Sequence, residues 1–107
     1  MAAPTYARGD AMRYFHRTSA SPDQVLEAAT SYFGARLSPA EESPRRRSWR
    51  GVMGHVTVAV LAEGGHYTRI DLNTDQVGES ELDKLAKRFL GEVHRLIEPS
   101  HEVRGAY

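Results

Sequence analysis

The densest chemistry in the sequence lies in Arg45-Arg46-Arg47-Ser48-Trp49-Arg50. Four guanidinium groups around the chain's single indole could grip phosphates and stack a base or an acidic ligand. Arginine offers a planar fork of donors, and tryptophan a flat apolar face. Strand alternation puts Arg45, Arg47 and Trp49 on one face, with Arg46, Ser48 and Arg50 on the other. The plainer reading is structural: alternate arginines line the wet side of an edge strand and discourage pairing with a stranger, while Trp49 anchors the strand. Glu41 and Glu42, just upstream, oppose the basic field. We favour the plainer reading, which expects Trp49 to be buried and the partner surface to lie elsewhere. The alternative is nucleic-acid or phosphate binding through Arg45, Arg47, Arg50 and Trp49. It expects an affinity that falls steeply with salt.

Other motifs fail at decisive positions. Asp71-Leu72-Asn73-Thr74-Asp75 has the alternating acids that open a calcium loop. Gln76 stands where that loop needs glycine, and Leu82 where it needs a bidentate glutamate. A polar loop at a strand end is the better reading. His16, His55, His66, His94 and His101 show no i, i+4 pair of the kind that builds a zinc helix. There is no cysteine, no Gly-x-Ser-x-Gly elbow and no glycine-rich phosphate loop. No catalytic residue, metal ligand or cofactor site is assigned, and the expectation leans away from an enzyme.

The elements that would position these residues must fit in 107 residues, the size of one domain with one core. Fourteen basic and fourteen acidic residues cancel, so no global field draws the chain to nucleic acid or anionic lipid. Twelve of the basic residues are arginine. The longest apolar run is far short of the ~20 residues that span a bilayer, and the first residues lack the apolar stretch of a signal peptide. With no cysteine, this favours a reducing, cytoplasmic setting.

The centre of the pattern is Gly51 to Thr74. Val56 to Ala62 and Tyr67 to Leu72 flank Glu63-Gly64-Gly65-His66, a hairpin signal. Thr68, Ile70 and Leu72 alternate with Tyr67, Arg69 and Asp71, so one face is expected to be buried and the other wet. The Val56 run is apolar on both faces, as suits a central strand. Upstream, Ala11 to Ala20 alternates as a first strand, with Tyr14 and Phe15 competing for the core. Ser21-Pro22-Asp23-Gln24 starts a helix with a capping box and an N1 proline. That helix carries Val25, Leu26, Ala29, Tyr32 and Phe33 on one side and stops at Gly34. Pro39 and Pro44 make Ala35 to Pro44 a connection, and Arg45 to Met53 reads as a strand. Ser80 with Asp83 caps a second helix, whose stripe is Leu82, Leu85, Ala86, Phe89, Leu90, Val93, Leu96 and Ile97, and Pro99 ends it. The expected class is therefore α+β, ordered β-α-β-β-β-α, with about four antiparallel strands and both helices on one face. Residues 1–10 read as a flexible arm, 11–98 as the domain and 99–107 as a flexible tail.

Three stretches resemble the START/polyketide-cyclase family, the helix-grip fold. Thr18 to Val25 is similar to its first strand turning into a helix through a small-residue-Pro motif. Gly54 to Val58 with Gly64 to Ile70 resembles its late hairpin, and Leu82 to Ile97 stands where its long C-terminal helix would. The chain is shorter than a typical member and lacks strands that would enclose a cavity. The resemblance implies a fold and a groove between the sheet and the C-terminal helix for a small apolar ligand. Tyr14, Tyr32, Trp49, Phe89 and Val93 are the lining candidates. It implies no reaction. The resulting expectation is a non-enzymatic binding module; the alternative is a small enzyme acting in a helix-grip cavity, which requires an enclosed pocket with convergent polar groups. The module would form a homo-oligomer or join a protein complex through the edge of the Arg45 to Met53 strand or the open sheet face.

Overall fold

The computed structural model describes residues 11 to 105, with side chains through Leu96. Five strands and two helices follow in the order β1 (Met12–Thr18), α1 (Pro22–Gly34), β2 (Ser38–Ser43), β3 (Arg46–Gly51), β4 (Gly54–Glu63), β5 (Tyr67–Thr74) and α2 (Glu81–Gly105). The sheet is antiparallel in the order β1-β5-β4-β3-β2. The class is α+β, as the alternation and the two caps require, with one strand more than the sequence reading expects. The expected arm at residues 1–10 lies outside the described residues.

The extra strand is β2. Ser38 stands opposite Arg50, Pro39 opposite Trp49 and Ser43 opposite Arg46, with an irregular register between Pro39 and Glu41. The connection expected from Pro39 and Pro44 is thus a paired strand over six residues, all exposed. An outermost strand tolerates proline where the missing N–H would have faced solvent, and a bulge accommodates the misfit. This also moves β3 inward. Its two edges are taken by β2 and β4, so the expected oligomeric pairing through the Arg45 to Met53 strand is corrected: no edge is free there.

Both helices cover one face of the sheet. From α1, Val25, Leu26, Ala29 and Phe33 are buried; from α2, Leu82, Leu85, Ala86, Phe89 and Val93 are. They meet Val56, Val58 and Val60 of β4 and Ile70 and Leu72 of β5. Leu96, placed on the core stripe by its spacing, is exposed. The competition in β1 resolves by register: Tyr14 stands opposite Leu72 and turns toward the helices, while Phe15 stands opposite Asp71 on the other face. Ser21 caps α1 with the reciprocal bonds of a capping box, 3.1 Å from Gln24 N–H to Ser21 Oγ and 2.8 Å from Ser21 N–H to Gln24 Oε1. α2 runs past Pro99 to Gly105 instead of ending there. A proline deletes one intrahelical bond and crowds the preceding turn, which strains a helix without always stopping it.

Gly54 turns β3 into β4 with φ of 131°, a region essentially closed to side chains. A Cβ there would sit 2.7 Å from Asp75 Oδ1 and 2.9 Å from the buried Leu82 Cδ2. Gly54→Ala is expected to cost about 2–3 kcal/mol from backbone strain and overpacking. A urea midpoint within error of the parent protein would refute this account of the turn.

Candidate functional site

The two expected site groups are placed very differently by the sheet. Trp49, Phe89 and Val93, the proposed heart of a ligand groove, are 2%, 0% and 0% exposed. Phe33 stands among them, its ring centroid 5.2 Å from Trp49, 5.1 Å from Phe89 and 5.1 Å from Tyr32. Aromatic rings at such offsets pack as solid core. Tyr14 and Tyr32 are half-buried at its rim. The Tyr32 hydroxyl donates to the Leu85 carbonyl at 3.0 Å, which ties α1 to α2, and burial raises its pKa. The space between sheet and helices where the groove was expected is therefore filled by these side chains.

The arginine strand divides. Arg47 lies on the helix side, where its Nη1 donates to Thr30 Oγ1 at 3.1 Å, and Arg45 approaches Asp23 at 3.6 Å. Arg46 and Arg50 stand opposite Ala59 and His55, on the uncovered face. Trp49 does not share a surface with them, because it is buried beneath α1, so it presents no ring for a base to stack on. Asp75, the last acid of the rejected calcium motif, instead accepts the His55 N–H at 2.9 Å. Among the described residues no three His, Asp or Glu gather as a metal site.

A polar knot joins α2 to β1. The Asp83 carboxylate is wholly buried and accepts hydrogen bonds from the Tyr14 hydroxyl, from the Glu79 N–H at 2.8 Å and from Lys87 Nζ at 3.1 Å. Burial alone would raise its pKa, but the three donors together outweigh that and hold it below the usual aspartate value. Burial and then the bond to Asp83 push Tyr14 up, and the bond to Asp83 raises Lys87. Glu79 sits at φ of 69°, which directs its N–H to Asp83. Every partner is spent inside the knot, so it fastens the helix to the sheet. Its spacing was legible as a cap, but Tyr14, 69 residues away, was not.

The uncovered face holds what the core does not. Phe15, Leu61 and Tyr67 point from it, each more than half exposed at 56%, 58% and 56%. Leu61 stands opposite Arg69, which in turn stands opposite Arg17; Phe15 lies one row away. Arg69 lies over the Phe15 ring at 4.5 Å and pairs with Asp71 at 2.9 Å, and Arg17 pairs with Glu63 at 2.8 Å. Such exposed pairs contribute ~0–1 kcal/mol, so they set where the guanidinium groups stand without holding the fold. Arg13, Arg46 and Arg50, on the same face, have no carboxylate at ion-pair distance among the described residues. An open hollow of about 530 Å³ lies at the β1 side, lined by Phe15, His16, Arg17 and Arg69. Alternation announces the wet side of β5, but the meeting of Phe15 with Leu61 and Tyr67 depends on β1 lying beside β5. No helix is long and apolar enough to cross a membrane among the described residues. No protein-family model matches the sequence, and no curated protein matches it.

Proposed function

We propose that this chain is a non-enzymatic interaction module that docks a protein partner on the uncovered face of its sheet. The observation that carries the reading is the exposure of Phe15, Leu61 and Tyr67 on one face while the opposite face is closed by two helices. Aromatic anchors ringed by arginine are the composition that interfaces favour at their energetic centre. Arg13, Arg46 and Arg50 carry positive charge unanswered within the described chain, so the partner should offer acidic groups around an apolar centre. The long C-terminal helix lying over β1, β5 and β4 supports reading the module as a truncated helix-grip-like fold. The filled core under that helix weighs against a small apolar ligand as the primary occupant.

The test is a matched comparison. A protein captured from cells of the source by the immobilised chain is purified and titrated against the parent and against Phe15→Ser/Tyr67→Ser. The double variant should bind at least ~10-fold more weakly, with an unfolding midpoint close to that of the parent, because exposed anchors contribute to binding and little to folding. Equal affinity of both chains would overturn the reading. So would capture of nucleic acid alone, with a salt slope that counts phosphates; that result would favour a basic-face alternative built on Arg13, Arg46 and Arg50.

A further inference from the structure

The two outer strands of the sheet are guarded unequally. β2 carries Pro39, an irregular register and the carboxylates of Glu41 and Glu42, all features that keep another strand from adding to an edge. β1 is guarded only by the exposed Arg13 and Arg17, which forbid some registers and leave others open. Its seven residues include no proline, lysine or carboxylate, and they pair with β5 without a break from Met12 opposite Thr74 to Thr18 opposite Thr68. Among the described residues β5 is its only strand neighbour. Its outer backbone groups are therefore a template for one more strand.

We propose that β1 pairs antiparallel with β1 of a second copy of this chain, about a twofold axis at Tyr14, to make one ten-stranded sheet. This rests on the interaction-module reading but adds the backbone edge of β1 to it, beside the face that holds the acidic partner and sharing Arg13 and Phe15 with that face. The register follows from charge. A twofold axis normal to the sheet keeps the uncovered faces of both copies on one side, so residues of like face stand opposite one another. An axis at Arg13 would set that residue against its own copy. An axis at Phe15 would set Arg13 against Arg17 of the partner subunit, twice over. Like charges directly opposite destabilise a sheet. An axis at His16 avoids the clash and pairs Tyr14 to Thr18, as many residues of β1 as an axis at Tyr14, but it cannot extend: Ser19 and Ala20 bend away toward the α1 cap, whereas Ala11 still donates to the Thr74 carbonyl at 2.7 Å. An axis at Tyr14 pairs Ala11 through Arg17 and places each Arg13 against Phe15 of the partner subunit. The Phe15 ring is exposed and carries Arg69 at 4.5 Å and, more loosely, Arg13 of its own chain at 6.0 Å, so across the junction Arg13 meets an aromatic group in place of a charge. The hollow lined by Phe15, His16, Arg17 and Arg69 then lies along the junction.

The chain has no cysteine, so single-cysteine variants report the register directly. Arg13→Cys and Phe15→Cys chains, mixed and oxidised, should cross-link to each other. Each alone should cross-link at least ~10-fold more slowly, because like positions then lie two residues apart along the strands, beyond the ~7 Å that a disulfide spans. Light scattering of the unmodified chain at tens of micromolar should give twice the 11.9 kDa chain mass. Phe15→Lys, which sets lysine against Arg13, should give a folded monomer. A monomeric parent chain, or variants that cross-link alone as fast as the mixture, would overturn the proposal. If that occurs while Phe15→Ser/Tyr67→Ser still loses its acidic partner, the interaction-module reading stands and the β1 dimer falls.

Discussion

Trp49→Ala should destabilise the protein by about 3–5 kcal/mol, the loss typical of a large aromatic removed from a core that cannot collapse around the void. Trp49 is 2% exposed and its ring meets Phe33 at 5.2 Å. Phe33 meets Phe89 and Tyr32 in turn, so a void at position 49 would loosen the contact between α1, α2 and β3 together. Its neighbours in the strand pull the other way. Arg47 is held by Thr30, and Arg50 faces away from the helices, so neither can swing in to fill the space. The parent protein should show blue-shifted indole emission resistant to iodide quenching, which urea unfolding abolishes. Red-shifted, readily quenched emission from the folded chain, or a loss on substitution below ~1 kcal/mol, would contradict this placement. Arg45→Gln with Arg47→Gln should leave partner binding unchanged, since neither guanidinium stands on the uncovered face.

Asp83→Ala should remove about 2–4 kcal/mol, somewhat below a fully enclosed ion pair because Lys87 can turn to water. The substitution strips the Tyr14 hydroxyl and the Glu79 N–H of their acceptor at once, and it leaves Glu79 in a left-handed conformation without the backbone bond that offsets it. The pH dependence has a definite sign. The folded Asp83 binds its proton less tightly than the unfolded chain does. Its contribution is therefore complete above the ordinary aspartate pKa of about 3.9 and is lost as pH falls through the lower folded value. Tyr14 and Lys87 are shifted upward, so their contributions are present below their ordinary values of about 10 and 10.4 and fade as pH rises through the higher folded ones. Asp83→Asn should flatten both limbs of the stability profile measured by urea unfolding across pH. An acid limb of unchanged steepness in that variant would show that other carboxylates dominate it.

Much of the architecture was legible because it is written in local pattern. The capping box at Ser21 and Gln24, the spacing of Val25, Leu26, Ala29 and Phe33, and the alternation of Thr68, Ile70 and Leu72 each have one low-energy solution, in which the apolar side is buried. β2 was not legible, because Ser38 to Ser43 has neither alternation nor strand propensity. It is a strand only because β3 presents it with unpaired backbone groups, and at an outer edge those bonds outweigh the poor intrinsic preference. That one strand changed the meaning of the arginine segment from edge to interior.

The division for function runs along the same line. The sequence by itself determined that one side of the hairpin is wet, that Trp49 sits on the opposite side of its strand from Arg46 and Arg50, and that no familiar catalytic or metal motif is complete. Only the tertiary structure decided that Tyr14 and not Phe15 faces the helices, because β1 takes its register from β5. The same pairing brings Phe15 beneath Arg69 and onto one face with Leu61 and Tyr67, and it sets Tyr14 against Asp83 across 69 residues. These contacts are non-local. Period and propensity specify which face of an element is apolar, whereas strand order and register specify which faces meet.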